Sequence, residues 1–148
     1  MSNTSLFVIV MVSMLTASLA YTSSLQYSYS QQMQEDGEQL WTDSDHDLKI
    51  KFTHNPKIPI IDEPTELQFT VQRISNDEYW KDLDAHVLIT DNTTGQFRNF
   101  RFNNITAPNG QFSVNYLFPG SGLFEVITRL SSPEVQALAG FDVVVPEK

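Results

Sequence analysis

The chain has 148 residues, 18 Asp and Glu against 9 Lys and Arg for a formal net charge of −9, no cysteine, and 41% hydrophobic residues. That length suits one domain, and the missing cysteine excludes a disulfide framework, a thiolate nucleophile, a Cys-based zinc or type 1 copper centre and a lipid-modified cysteine anchor. The acidic balance argues against nucleic acid and against anionic membrane surfaces as partners, because both are bound through Lys and Arg.

Residues 6–15 (LFVIVMVSML) form an apolar run followed by Thr16, Ala17, Ser18, Leu19 and Ala20. Ser18 and Ala20 supply the small residues that a signal peptidase requires at −3 and −1. Cleavage between Ala20 and Tyr21 is the expectation, which makes residues 1–20 a signal peptide. The apolar stretch, roughly 15 residues, falls short of the ~20 a spanning helix needs. The first five residues carry no Lys or Arg, however, so an uncleaved N-terminal anchor stands as the alternative. Either way the remainder is expected outside the cytoplasm, secreted or attached to the cell surface.

Residues 21–47 shift to Ser, Gln and Tyr (YTSSLQYSYSQQMQ) and then to acid (EDGEQLWTDSDHD). They sustain neither a period of 2 nor one of 3.6 and read as a flexible tether. Leu40 and Trp41 leave open that its distal end covers an exposed sheet edge. From Leu48 the alternation becomes regular. Leu48, Ile50 and Phe52 share one face and Lys49, Lys51 and Thr53 the other, the two-residue period of a half-buried strand, stopped by Asn55-Pro56 and Pro59. Leu67, Phe69 and Val71 mark a second strand and Ala85, Val87 and Ile89 a third, before a turn at 91–95. A short aromatic fourth runs over 97–102 and ends at Asn103-Asn104. Asn109-Gly110 opens a fifth with Phe112, Val114, Tyr116 and Phe118 on one face. The segment 119–122 (PGSG) reads as a hairpin turn into a sixth with Phe124, Val126, Thr128 and Leu130 aligned. Phe141, Val143 and Val145 form the seventh, closed by Pro146.

Seven short strands, regular turn signals and no amphipathic helix predict a seven-stranded antiparallel immunoglobulin-like β-sandwich with Greek-key connections over residues 48–146. Residues 110–130 (GQFSVNYLFPGSGLFEVITRL) resemble the late hairpin of prokaryotic exported immunoglobulin-like domains of the YtkA and FixH kind. Residues 83–91 (LDAHVLITD) resemble another strand of those domains, with Ala85 in the small-residue position. The resemblance implies a sandwich, a signal peptide and, in some members, a link to metal or respiratory assemblies. It carries over no functional residue.

Asp43, Asp45 and Asp47 place carboxylates at alternate positions, as a calcium-binding hand does. Such a loop needs Gly at its sixth position and Glu at its twelfth, where this chain has Leu48 and His54. A looser calcium or copper site on Asp43, Asp45, His46 and Asp47 is the alternative to a solvated acidic approach to the first strand. His46 and His54, eight residues apart at ~3.3 Å each, are about 26 Å apart along a strand and cannot share an ion there. His86 lies on the outward face of another strand beside Asp84. Copper-carrier sandwiches resembling this one place a histidine at the mature N-terminus, where this chain has Tyr21.

Ser121 lacks the strand-to-helix context of a nucleophile elbow. The pairs Asp62-Glu63, Asp77-Glu78 and Asp82 with Asp84 fall in loops or at strand ends, where solvent keeps both members ionised. No enzyme is expected. Asn92-Thr93-Thr94 and Asn104-Ile105-Thr106 are glycosylation sequons at expected turns. Arg98, Phe100, Arg101 and Phe102 make the one locally basic, aromatic strip, read either as a strand edge that accepts a partner or as an edge protected by its arginines.

The acidity is uneven: residues 35–91 hold 14 acids and 5 bases, residues 92–148 hold 4 and 4, and residues 35–47 alone carry six acids and no base. The expected function is a non-catalytic binding or assembly module of an envelope complex, whose partner is another envelope or secreted protein met at the acidic end. The alternative is a copper or calcium carrier, or an accessory to an extracytoplasmic metalloenzyme.

Overall fold

Two antiparallel sheets stack face to face in the computed structural model, which describes residues 32–33, 37–91 and 98–147. The strands are β1 (Gln32–Met33), β2 (Gln39–Asp43), β3 (Leu48–Asn55), β4 (Pro64–Arg73), β5 (Leu83–Asp91), β6 (Arg98–Ala107), β7 (Gln111–Leu117), β8 (Gly122–Ser131) and β9 (Gln136–Val145). One sheet has the order β1-β2-β3-β4-β7 and the other β6-β5-β8-β9. This is a β-sandwich, and the arrangement β3-β4-β7 against β6-β5-β8-β9 is immunoglobulin-like. Among the described residues no helix occurs.

The alternation read from sequence is what fills the interior. The inward residues of β3, β4, β8 and β9 are the expected ones, and Leu48, Ile50, Phe52, Leu67, Phe69, Val126 and Phe141 are all buried. Aromatic contacts fill the interior: Phe52 of β3 meets Phe141 of β9 across the two sheets at 4.8 Å between centroids, Phe69 stacks on its cross-strand partner Phe112 within one sheet at 4.7 Å, and Phe118 meets Phe124 edge-on at 4.8 Å.

Four expectations change. The tether does not run to Asp47, because Gln39–Asp43 is β2 and pairs along β3, with Trp41 buried opposite Ile50. Its run is too short to show a period, and its burial comes from the neighbouring strand. The described residues form nine strands where seven were expected, the additions being β1 and β2. Residues 119–122 do not close a hairpin, since β7 pairs with β4 while β8 pairs with β5 and β9, so the segment crosses from one sheet to the other. Alternation and turn residues mark where a strand ends but not which sheet the next one joins.

The fourth is Asn104, expected in a turn and found inside β6. Ala85 pairs with Ile105 and Val87 with Phe102, so His86 faces both Asn103 and Asn104 across a β-bulge. Asn104 takes the left-handed conformation there, φ 58°, which Asn tolerates better than most residues. It is exposed. The turn signal was real, but a bulge absorbed it without ending the strand.

At Gly110 (φ 68°) a Cβ would lie 2.6 Å from the carbonyl oxygens of both Trp80 and Val71. A bare glycine lets the β6–β7 turn press against β4, where Val71 N–H donates to Gly110 O at 2.7 Å.

Candidate functional site: the acidic loop pole

Four connections meet at one end of the sandwich. The β2–β3 turn joins the β4–β5 loop where Ile74 N–H donates to Asp47 O at 3.2 Å and where Ser75 donates to Asp47 through its backbone N–H and its hydroxyl, each at 2.8 Å. Asp82 N–H at the end of that loop donates to Pro108 O in the β6–β7 turn at 3.2 Å. The β8–β9 turn is tied in by Arg73, whose guanidinium reaches Glu134 at 3.3 Å and Asp47 at 3.9 Å and lies 4.0 Å over the Trp80 ring. Lys49 pairs with Asp77.

The β4–β5 loop doubles back along β4: Arg73 N–H donates to Glu78 O at 2.8 Å and Trp80 N–H to Val71 O at 3.1 Å. This leaves a groove of about 430 Å³ between the β4–β5 and β8–β9 connections, lined by Arg73, Tyr79, Trp80, Lys81 and Glu134 among others. Tyr79 is half exposed; Trp80 is buried, and its Nε1 has no hydrogen-bond partner among the described residues.

The acids of the β2–β3 turn are local structure first. Asp43 Oδ1 accepts from Asp45 N–H at 3.1 Å, and Asp43 Oδ2 lies 2.7 Å from His46 Nδ1, an Asx turn that closes the hairpin. Partial burial pushes the Asp43 carboxyl up, but the His46 hydrogen bond and charge, with the backbone N–H groups of Asp45 and His46, hold it below the ordinary value of 3.8. The Asp47 carboxyl is also lowered, chiefly by the Ser75 hydroxyl, and further by Ser75 N–H and Arg73.

Of the residues considered for a metal, Asp43 and His46 thus come together, Asp45 points to solvent, Asp47 is held by Ser75, and His86 stands on β5 with its Nδ1 3.3 Å from Asn103 Oδ1. Among the described residues no three His, Asp or Glu side chains gather closely enough to hold an ion. His46 lies in the turn before β3, not on the strand with His54. The basic aromatic strip of β6 divides: Phe100 and Phe102 pair with the inward Ile89 and Val87, Phe102 being half-buried and Phe100 still exposed at the sheet edge, whereas Arg101 pairs with the outward Leu88. Phe100 rests on Tyr116 of β7 at 5.2 Å. The backbone of Arg98 opens β6 opposite Asp91. Asn92, Ala20 and Tyr21 lie outside the described residues.

Sequence reading missed the convergence itself. Asp77, Glu78 and Asp82 were legible as acids of loops or strand ends, but nothing in the spacing singles out Glu134 or places it beside Arg73. Asp45, Glu78 and Asp82 form no ion pair among the described residues, so this pole presents unpaired negative charge.

No protein-family model matches the chain, and no curated protein does; the likeness to YtkA and FixH domains is not confirmed there. Among solved structures, the soluble domain of PmoD from Methylocystis sp. ATCC 49242 is similar, with a TM-score of 0.47 and 14% identity over 80% of this chain and 98% of that one.

Proposed function

We propose that the chain is a non-catalytic, extracytoplasmic binding or assembly module, of the exported immunoglobulin-like kind its late strands resemble. It meets a cationic partner protein through the acidic loop pole. The observation that carries this is the convergence of Asp45, Glu78 and Asp82 on one end, beside a groove with an exposed tyrosine, where Lys49 is engaged by Asp77 and Arg73 by Glu134 and Asp47, so that the three carboxylates outnumber Lys81, the base of the groove that makes no ion pair among the described residues. Loops on a rigid scaffold are where recognition residues concentrate. Unpaired carboxylates steer a cationic partner and lose that effect as salt rises. The apolar run before Ala20 supports export.

The test is capture of partners from native envelopes at low and high salt, with the wild-type chain and an Asp45→Asn/Glu78→Gln/Asp82→Asn variant. The substitutions leave every hydrogen bond described above in place, and Asn suits the positive φ of Asp82 (53°). A partner should be retained by the wild type at low salt and released by salt or by the triple change. Recovery of monomer alone, or of the same partner by both chains at both salts, contradicts the proposal.

A further inference from the structure

The outer faces of the two sheets differ. That of the β3-β4-β7 sheet is mostly polar, with Lys49, Lys51, Gln68, Thr70, Ser113 and Asn115 outward and an exposed Leu117 at the end of β7. A solvated sandwich face should read that way. The outer face of β6-β5-β8-β9 does not. Its register lays side chains in rows across the strands: Asn103, His86, Arg129 and Leu138; then Arg101, Leu88, Ile127 and Gly140; then Asn99, Thr90, Glu125 and Asp142. Leu123 and Val144 form a fourth row, and both are exposed, as is Leu138 at 52%. Leu88 and Ile127 floor a shallow hollow of about 360 Å³ between Arg101 and Arg129.

Charges of both signs stand unpaired on this face. Arg101, Arg129, Glu125 and Asp142 make no ion pair among the described residues; Asp84, also outward on β5, borders the patch. An apolar strip flanked by unpaired acids and bases is complementary to itself, which is what a two-fold interface requires. We infer that two copies of this chain pair face to face through the outer side of β6-β5-β8-β9.

A two-fold axis running along the strands between β5 and β8 superimposes β6 of one copy on β9 of the other. It sets Leu88 over Ile127 of the second copy. Arg101 comes over Gly140 of the second copy, where the Glu125 carboxylate reaches to 3.5 Å from the position a Cβ would take and Asp142 stands beside Glu125 in the next row. Four strands about 4.8 Å apart and seven residues at ~3.4 Å give roughly 450 Å² per copy. About 900 Å² in total belongs to the class of weak, reversible pairs. The inference rests on reading the chain as an assembling module, but it uses a different face from the acidic pole, so either can fail alone.

The test is sedimentation velocity of the full chain from about 1 to about 500 µM, a range that brackets a micromolar pair. A monomer–dimer equilibrium is expected. Arg101→Glu should weaken it at least tenfold, as should Gly140→Arg, whose Cβ has ordinary room 3.5 Å from Glu125 Oε1. Adding Glu125→Arg to Arg101→Glu should restore dimers by exchanging the charges. Circular dichroism monitors the fold, and if Gly140→Arg disturbs it, the exposed Arg101→Glu decides. A chain that stays monomeric throughout, or a dimer indifferent to Arg101→Glu, overturns the inference.

Discussion

Single atoms at two positions make different demands on the sandwich. Thr128 occupies an inward position on β8 and is fully buried, and its Oγ1 has no hydrogen-bond partner among the described residues. A buried hydroxyl left unpaired costs about 1–3 kcal/mol, so Thr128→Val should raise stability by about 1 kcal/mol, read as a higher denaturant midpoint with unchanged slope. Asp47 is the opposite case, a polar group fully used. Because Ser75 and Arg73 lower its folded pKa below 3.8, the unfolded chain binds its proton first. The stabilisation is therefore present above that value and lost as pH falls through the folded one. Melting temperatures of wild type and Asp47→Asn should differ at neutral pH and converge in acid. A gap that persists in acid well below the folded value would mean that the difference does not come from the carboxylate charge.

Among the elements, β2 shows how far the sequence can be read. The later strands announce themselves because five or more residues alternate, and nearly every inward residue is apolar, Thr65 and Thr128 being exceptions. β2 has five residues, QLWTD, with burial at Gln39 and Trp41, and a buried glutamine breaks the pattern that would have revealed it. The structure explains the glutamine: its Nε2 donates to Asp142 O at 2.6 Å and its Oε1 accepts from Asp142 N–H at 3.0 Å. The side-chain amide acts as a strand for the edge of β9 and closes one side of the sandwich. Gln39→Ala should cost about 1–3 kcal/mol for the exposed pair of backbone groups and speed amide exchange at Asp142. Unchanged exchange there would show that the seam holds without it. The strip of β6 does lie on an edge strand, and the two-residue period separates Arg101 from the neighbouring Phe100 and Phe102.

For the whole molecule, the charge asymmetry was legible and its placement was not. Six acids without a base over residues 35–47 suggest an arm, yet the later ones belong to a hairpin turn latched onto the β4–β5 loop. Sequence distance hid that Asp45, Glu78 and Asp82 share a pole, because the chain runs away along β3 and returns along β4 before the second of their two loops begins. Removing residues 35–47 to test binding would also remove β2, so point changes are required. The contact claimed for this pole is tested most directly by zero-length carbodiimide cross-linking of native envelopes followed by peptide mapping, since the reagent joins only carboxylates already touching amines. Linkages from Asp45, Glu78 or Asp82 to lysines of another protein, suppressed at high salt, are the predicted result. Linkages confined to other carboxylates of the chain would contradict it.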